Sequence, residues 1–243
     1  MRDAEMLVPH GEGWVARVRA STLHGRLYLH SAYPTHAADA VFFGPDTYRY
    51  ADAITRHLAD GAQVRRVVDI GCGAGPGAVV VALARPRAEV VAVDINATAL
   101  RYTALNARLA GARIATRQSD LLDGVDGDFD LIVANPPYLL DPRERTYRHG
   151  GGSLGEGLSL AIAGLAGSRL SAGGTLLLYT GTAIVDGVDR FRAAIAALLG
   201  ATDLAWDYQE LDPDVFGDEL DEPAYADADR IAAVLLTVCK AAA

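Results

Sequence analysis

"VVDIGCGAGPGA", residues Val67 to Ala78, decides how the rest of the chain is read. A β-branched run closes on Asp69 and Ile70, glycines then recur at Gly71, Gly73, Gly75 and Gly77, and the apolar stretch "GAVVVALARP" follows. A strand that passes through a glycine turn straight into a helix opens a βαβ unit, and hence a parallel sheet. Such a turn lets the backbone approach a ligand and presents the free amides of a helix N-terminus. A tight turn with no ligand would use the same glycines. The spacing GxGxG behind an aspartate differs from the GxGxxG of dinucleotide folds and favours a cofactor without a pyrophosphate. GxxxxGK[ST] is absent from the chain, which excludes a P-loop.

Outward from this turn the same rhythm repeats. "VRRVVDI", "AEVVAVDI", "ARIATRQS", "FDLIVANPPY" and "TLLLYTGT" read as strands, with helices over "GAVVVALARP", "ATALRYTALNARLAG", "GLSLAIAGLAGSRLSAGG" and "VDRFRAAIAALLG" between or after them. Two late strands, "TDLAWDYQEL" and "RIAAVLLTVCK", have no helix between them and predict an antiparallel pair at one edge of a mostly parallel sheet. Upstream, "WVARVRASTLHGRLYLH" alternates around "TLHG" and predicts a hairpin. "PDTYRYADAITRHLADG" predicts a helix with Asp46 or Thr47 as N-cap and Gly61 at its end. The expected division is an N-terminal hairpin extension over residues 1–40 and one α/β domain over residues 41–243.

Composition sets bounds. Of 243 residues, 51% are hydrophobic, enough for one sizeable core. Two cysteines, Cys72 and Cys239, make no disulfide framework or metal cage and fit a reducing cytoplasm. The six histidines lack ligand spacing, so no metal is expected, and no apolar run reaches membrane-spanning length. The net charge of −9 is concentrated: residues 201–230 hold eleven Asp/Glu against Arg230 alone, a balance of −10, which leaves about +1 for the rest. An acidic chain is a poor non-specific binder of nucleic acid.

Three acids follow three successive strands. Asp69 ends the first, Asp94 the second, and Asp120 stands just after the third. Ligands bind at that carboxyl edge in open α/β sheets, where an acid can accept two ribose hydroxyls or an adenine amine. Each acid alone could be a helix cap, and for Asp94 the neighbouring Asn96 would cap equally well. The fourth strand ends in Asn135-Pro136-Pro137-Tyr138. Asn135 is pushed toward extended geometry by the proline after it, and the two prolines fix φ and lack amide hydrogens. The free groups of this stiff corner are mainly acceptors: carbonyl oxygens and the Asn135 side-chain oxygen. They suit the two hydrogens of a planar NH2 group, and Tyr138 offers a flat face for stacking.

"VVDIGCGAG", "VVAVDINATAL", "RQSDLL" and "VANPPY", in this order and spacing, resemble class I methyltransferases that use S-adenosylmethionine, from about residue 40 to the C-terminus. The resemblance implies a Rossmann-like seven-stranded sheet, mostly parallel with an antiparallel C-terminal pair. It also implies that Gly71, Cys72, Gly73 and Gly75 pass the methionine part of the cofactor while Asp69 orients the turn from behind. Asp94, with Ile95 and Asn96, would meet the ribose, and Asp120 and Leu121 the adenine. The tetrad Asn135, Pro136, Pro137 and Tyr138 would be catalytic, with Asn135 also touching the cofactor. "VFFGPDTYRYADAI" is similar to the segment that precedes the first strand in release-factor glutamine methyltransferases, which lays a threonine helix over the cofactor; Thr47 would be that threonine. "GGGSLGEGLSL" is similar to a stretch after their tetrad, with Glu156 where they have aspartate. The group that these stretches resemble is the HemK-like, small-methyltransferase-domain one.

The resemblance implies N-methylation of a planar nitrogen, with a protein glutamine in a release factor as leading acceptor. The alternatives are a nucleic-acid base (adenine or guanine), a small-molecule amine or amide, and a non-catalytic module that binds the cofactor. Two departures bear on the acceptor. Bacterial members carry a helical N-terminal substrate domain where this chain has a hairpin, and the acidic stretch "DYQELDPDVFGDELDEPAYADAD" is unusual. That stretch reads as a solvated loop, a lid or a docking surface.

Overall fold

A computed structural model describes residues 6–35, 37–59, 61 and 63–242. The chain opens with two hairpins, β1 (Leu7–His10) with β2 (Gly13–Ala16) and β3 (Val18–Leu23) with β4 (Arg26–Ser31). The second is the expected hairpin; the first was not anticipated. Then come α1 (Pro45–Ala59), β5 (Arg66–Ile70), α2 (Pro76–Ala84), β6 (Glu89–Asp94), α3 (Ala97–Ala110), β7 (Ala115–Gln118) and β8 (Phe129–Ala134). The remainder is α4 (Gly157–Gly164), α5 (Ala166–Arg169), β9 (Leu170–Val185), β10 (Val188–Asp189), α6 (Arg190–Leu199), β11 (Ala205–Asp212) and β12 (Ala228–Cys239), with two 3-10 turns, Gly217–Asp221 and Pro223–Tyr225, between the last strands.

The main sheet runs β11-β12-β9-β8-β5-β6-β7, with β10 paired to β9 as a short eighth strand. β7, β6, β5, β8 and β9 are parallel, and β12 is antiparallel to both β9 and β11. This is the expected mixed sheet. Two predicted boundaries differ. The helix read over residues 157–174 breaks into α4 and α5, and β9 begins at Leu170, which pairs with Phe129. Asp46 and Thr47 lie inside the first turn of α1, not at its cap.

Successive strand residues point to opposite faces, and the core divides accordingly. Val67, Leu131, Val133, Leu177 and Tyr179 pack on the side of α1 and α2. Val68, Ile132, Leu176 and Leu178 pack on the side of α4 and α6. Both faces are covered, which is why these strands read as continuous apolar runs.

A third cluster joins the second hairpin to the domain. Leu23 and Tyr28 pack with Val41, Phe43, Val79 and Ala107. Asn106, fully buried on α3, acts like a partner strand for β4. Its Oδ1 accepts from the Leu29 amide at 2.8 Å, and its Nδ2 donates to the Leu29 carbonyl at 2.9 Å and the Ala74 carbonyl at 2.8 Å. Asn106→Ala would strand three backbone groups. We expect a loss of about 3 kcal/mol in urea unfolding; a loss below about 1 kcal/mol would show that the clamp is not stabilising.

Candidate functional site

The carboxyl ends of β5, β6, β7 and β8 open on one cleft of about 210 Å³. A buried water needs about 15 Å³ of such space, so this is a ligand-sized opening and not a packing defect. Thr47, Gly71, Cys72, Gly73, Asp94, Ile95, Asn96, Asp120, Leu121 and the whole of Asn135-Pro136-Pro137-Tyr138 line it. Of the residues that the resemblance assigns to the cofactor or to the methyl transfer, Asp69 and Gly75 do not reach it.

Those two act behind the turn. Asp69 is buried at the end of β5. Its carboxylate accepts from the Tyr50 hydroxyl and from the Ala78 amide in the first turn of α2, each at 2.8 Å. Gly75 takes the left-handed conformation (φ +82°) before Pro76, and a Cβ there would meet Thr103 at 2.9 Å. Thr103 in turn donates to the Gly73 carbonyl at 3.0 Å. The turn is thus clamped from behind, leaving its other side for a ligand.

Asp94 and Asn96 divide two roles that the sequence left open. Asn96 caps α3, accepting from the Thr98 amide at 2.9 Å. Asp94 accepts from the Gly73 amide at 3.0 Å and the Asn96 amide at 2.8 Å, which aims its carboxylate into the cleft beside the glycine turn. Burial pushes its carboxyl above the ordinary value, against the pull of those amides. Asp120 is exposed on the rim and followed by Leu121 in the left-handed region (φ +45°). For leucine that conformation costs roughly 1–2 kcal/mol. The turn is held by the Gly124 amide on the Ser119 hydroxyl at 2.8 Å.

The tetrad closes the opposite side. Asn135 is half-buried, and its side chain makes no hydrogen bond to another described residue, so its amide is free for a ligand. Tyr138 is buried and donates its hydroxyl to Asp46 at 2.7 Å; Tyr179 on β9 donates to the other oxygen of Asp46 at 2.7 Å. Burial and the Asp46 carboxylate hold the Tyr138 phenol well above its ordinary pKa, so it stays a donor. The Tyr138 ring lies against Gly181, where any Cβ would overlap it. Behind the tetrad, Cβ atoms at Gly150 or Gly155 would strike the backbone of residues 137–139. "GGGSLGEG" is therefore a close backbone approach, and Glu156 turns back to accept from the Ser153 and Leu154 amides.

Several cleft residues were missed. Phe42 stacks on Tyr147 with ring centroids 6.2 Å apart, and Phe216 meets the Tyr138 ring edge-on at 5.9 Å. Phe216, the one phenylalanine of the acidic run, was the signal there. Arg148 is the one cation among the described lining residues, against Asp46, Asp94 and Asp120, and it is ion-paired with Glu219. The nearby Arg145 is bidentate on Asp141, and Arg49 pairs with Asp212. Such a cleft is net acidic and suits a cationic ligand better than a polyphosphate.

Residues 38–180 match the methyltransferase small domain family. The chain belongs to that family. Among curated relatives of this small-domain chain, a release factor glutamine methyltransferase of Bordetella pertussis is 34% identical over 67% of this chain and 64% of its own length. A ribosomal protein uL3 glutamine methyltransferase of the same organism is 36% identical over 51% of this chain and 46% of its own. The chain thus spans less than two thirds of these relatives. Among solved structures, a Thermus thermophilus 16S rRNA N2 methyltransferase in complex with AdoMet and guanosine aligns with a TM-score of 0.59 at 19% identity, covering 96% of this chain and 57% of that one. The ribosomal protein L11 methylase of Lactobacillus delbrueckii subsp. bulgaricus aligns at 0.52 and 22% identity, covering 80% and 79%. At such identities these structures establish the fold, a class I methyltransferase sheet. Among the described residues no helix is long and apolar enough to cross a membrane.

Asp69 gives a pH test of the clamp behind the turn. Burial, partly opposed by the Tyr50 and Ala78 hydrogen bonds, pushes its carboxyl from 3.8 up to about 7. The folded state then holds a proton that the unfolded chain releases. Its contribution to stability is full below 3.8 and is lost as pH rises through 7. Asp69→Asn is expected to remove a fall of up to about 1.4 kcal/mol per pH unit across that window. Denaturant melts of the variant and the parent with the same pH slope would contradict this.

Proposed function

We propose that this chain transfers a methyl group from S-adenosylmethionine to the side-chain amide nitrogen of a protein glutamine, in a release factor or a ribosomal protein. The observation that carries the reading is the amide of Asn135, without a partner among the described residues, in the cleft that also holds the Asp94 carboxylate. The relatives' names give the acceptor class.

The residues present fit the cofactor. Gly71 (φ +67°) and Gly73 (φ +55°) leave a cradle without side chains, and Cys72 backs it. Asp94 would hold the ribose hydroxyls, Asp120 and Leu121 the adenine, and Thr47 would lie over the methionine end. Bound there, S-adenosylmethionine supplies an electrophilic methyl on a sulfonium. The carboxylates of the cleft match that positive charge.

The chain's own work is positioning. Asn135 Oδ1 and the carbonyl oxygens of the proline corner accept the two amide hydrogens and aim the nitrogen. Tyr138 supports the amide plane and shields it from water. Orientation of this kind supplies most of the available acceleration. The same acceptors stabilise the positive charge that develops on nitrogen in the transition state. As the nitrogen–carbon bond forms, the methyl's bond to sulfur would break to leave a neutral thioether, and the proton lost by the nitrogen would pass to solvent water at the cleft mouth; no histidine or cysteine nucleophile is needed. A basic groove beside Tyr138 would favour nucleic acid; here the neighbouring guanidinium groups are spent on Glu219, Asp141 and Asp212.

Incubation with methyl-labelled S-adenosylmethionine and, separately, release factors, ribosomal proteins, ribosomal RNA and DNA tests the reading. Label on a protein glutamine is expected; label on RNA or DNA would overturn it. Asn135→Ala should cut turnover by about a hundred-fold or more while the cofactor dissociation constant changes little. Near-normal turnover would remove Asn135 from the amide-gripping role. Asp94→Ala should raise the cofactor dissociation constant by about ten-fold or more in calorimetry, the worth of hydrogen bonds to a charged group. Unchanged binding would refute the ribose assignment.

A further inference from the structure

We propose that Phe216, carried into the cleft by the acidic segment between β11 and β12, is the acceptor-selecting wall of the site. The proposal rests on the reading above and extends it to a residue outside the matched family segment, which ends at residue 180.

Topology brings the segment to the right edge. β11 runs parallel to β9, so Asp212 at its end lies on the same side of the sheet as Asn135 and Asp94. The segment is then fastened. The Val215 amide donates to the Ile231 carbonyl at 2.7 Å, and Glu219 pairs with Arg148. Tyr225 is buried, and its hydroxyl accepts from the Leu140 amide at 2.8 Å, just past the tetrad. The same hydroxyl donates to the Leu154 carbonyl at 3.3 Å. A solvated loop would not be fastened in this way to β12, to Arg148 and to Leu140.

Between these ties stands Phe216, at φ +55° and ψ +41°. A bulky aromatic residue avoids the left-handed region, and a glycine follows at Gly217 that would fill it without strain. Strain of this kind persists where the surroundings over-determine it, and it clusters at functional sites. Here it sets the Phe216 ring in the cleft, edge-on to Tyr138 with an interplanar angle of 69°. Two rings in that relation form an apolar corner in the cleft that Asn135 also lines. A planar amide on an aliphatic stem fits it: the plane lies on one ring and the methylenes pack on the other.

Three variants of the full chain test this. Phe216→Gly removes the ring and relieves the backbone, Phe216→Ala removes the ring alone, and Phe216→Tyr keeps it. The acceptor is whichever of release factor, ribosomal protein or RNA takes label with the parent chain. Transfer to RNA would defeat the glutamine reading and still leave the comparison at Phe216 to be made. We expect Phe216→Gly to melt no lower than the parent and to bind S-adenosylmethionine within about two-fold, yet to raise the acceptor KM by about ten-fold. Phe216→Ala should raise it similarly, and Phe216→Tyr should restore it to within about three-fold. An unchanged acceptor kcat/KM in Phe216→Gly would overturn the proposal. So would a parallel loss of cofactor affinity, which would mark the ring as structural.

Discussion

The carboxylate of Asp46 holds the two sides of the cleft together. It is buried, and a buried carboxylate must find donors or cost several kcal/mol. Tyr138 and Tyr179 supply one each, from the tetrad and from β9, with Arg49 one helical turn away at 3.7 Å. The helix that brings Thr47 to the cleft is thereby fixed against the corner that carries Asn135. Neither side can swing open without stranding a charge. Arg49 extends the chain of contacts to Asp212, and so to the acidic segment that delivers Phe216.

Space matters as much as charge. Gly181 leaves room for the Tyr138 ring on β9, and Gly150 and Gly155 let a second loop lie directly on the backbone of the tetrad. The stiffness expected of Asn-Pro-Pro-Tyr from its prolines is reinforced by these close approaches. The result is a rigid acceptor corner in which the side-chain amide of Asn135 has no hydrogen-bond partner among the described residues.

Much of this was legible in advance, for physical reasons. Period-two burial across a covered sheet makes Val67 and Val68 both apolar, so strands appear as short runs between glycine turns. Acids at three strand ends pointed to one edge, and Asp94 and Asp120 both line the cleft there. What was not legible depends on distant partners. Asp46 read as a cap because Pro-Asp-Thr makes a good one; its burial is set by tyrosines 92 and 133 residues away. The helix read over residues 157–174 stops early because Leu170 is drawn into pairing with Phe129, which local propensity does not encode. The acidic run read equally as loop, lid or docking surface, since the pairing of Glu219 with Arg148 joins segments 71 residues apart.

The account requires that the ligand edge of the sheet and the Asn-Pro-Pro-Tyr corner face one another across a nucleoside. A crystal structure with S-adenosylhomocysteine measures this directly. The ribose hydroxyls are expected on Asp94, with the sulfur turned toward Asn135 and Tyr138 still bonded to Asp46. A nucleoside bound elsewhere, or a sulfur facing away from Asn135, would contradict it.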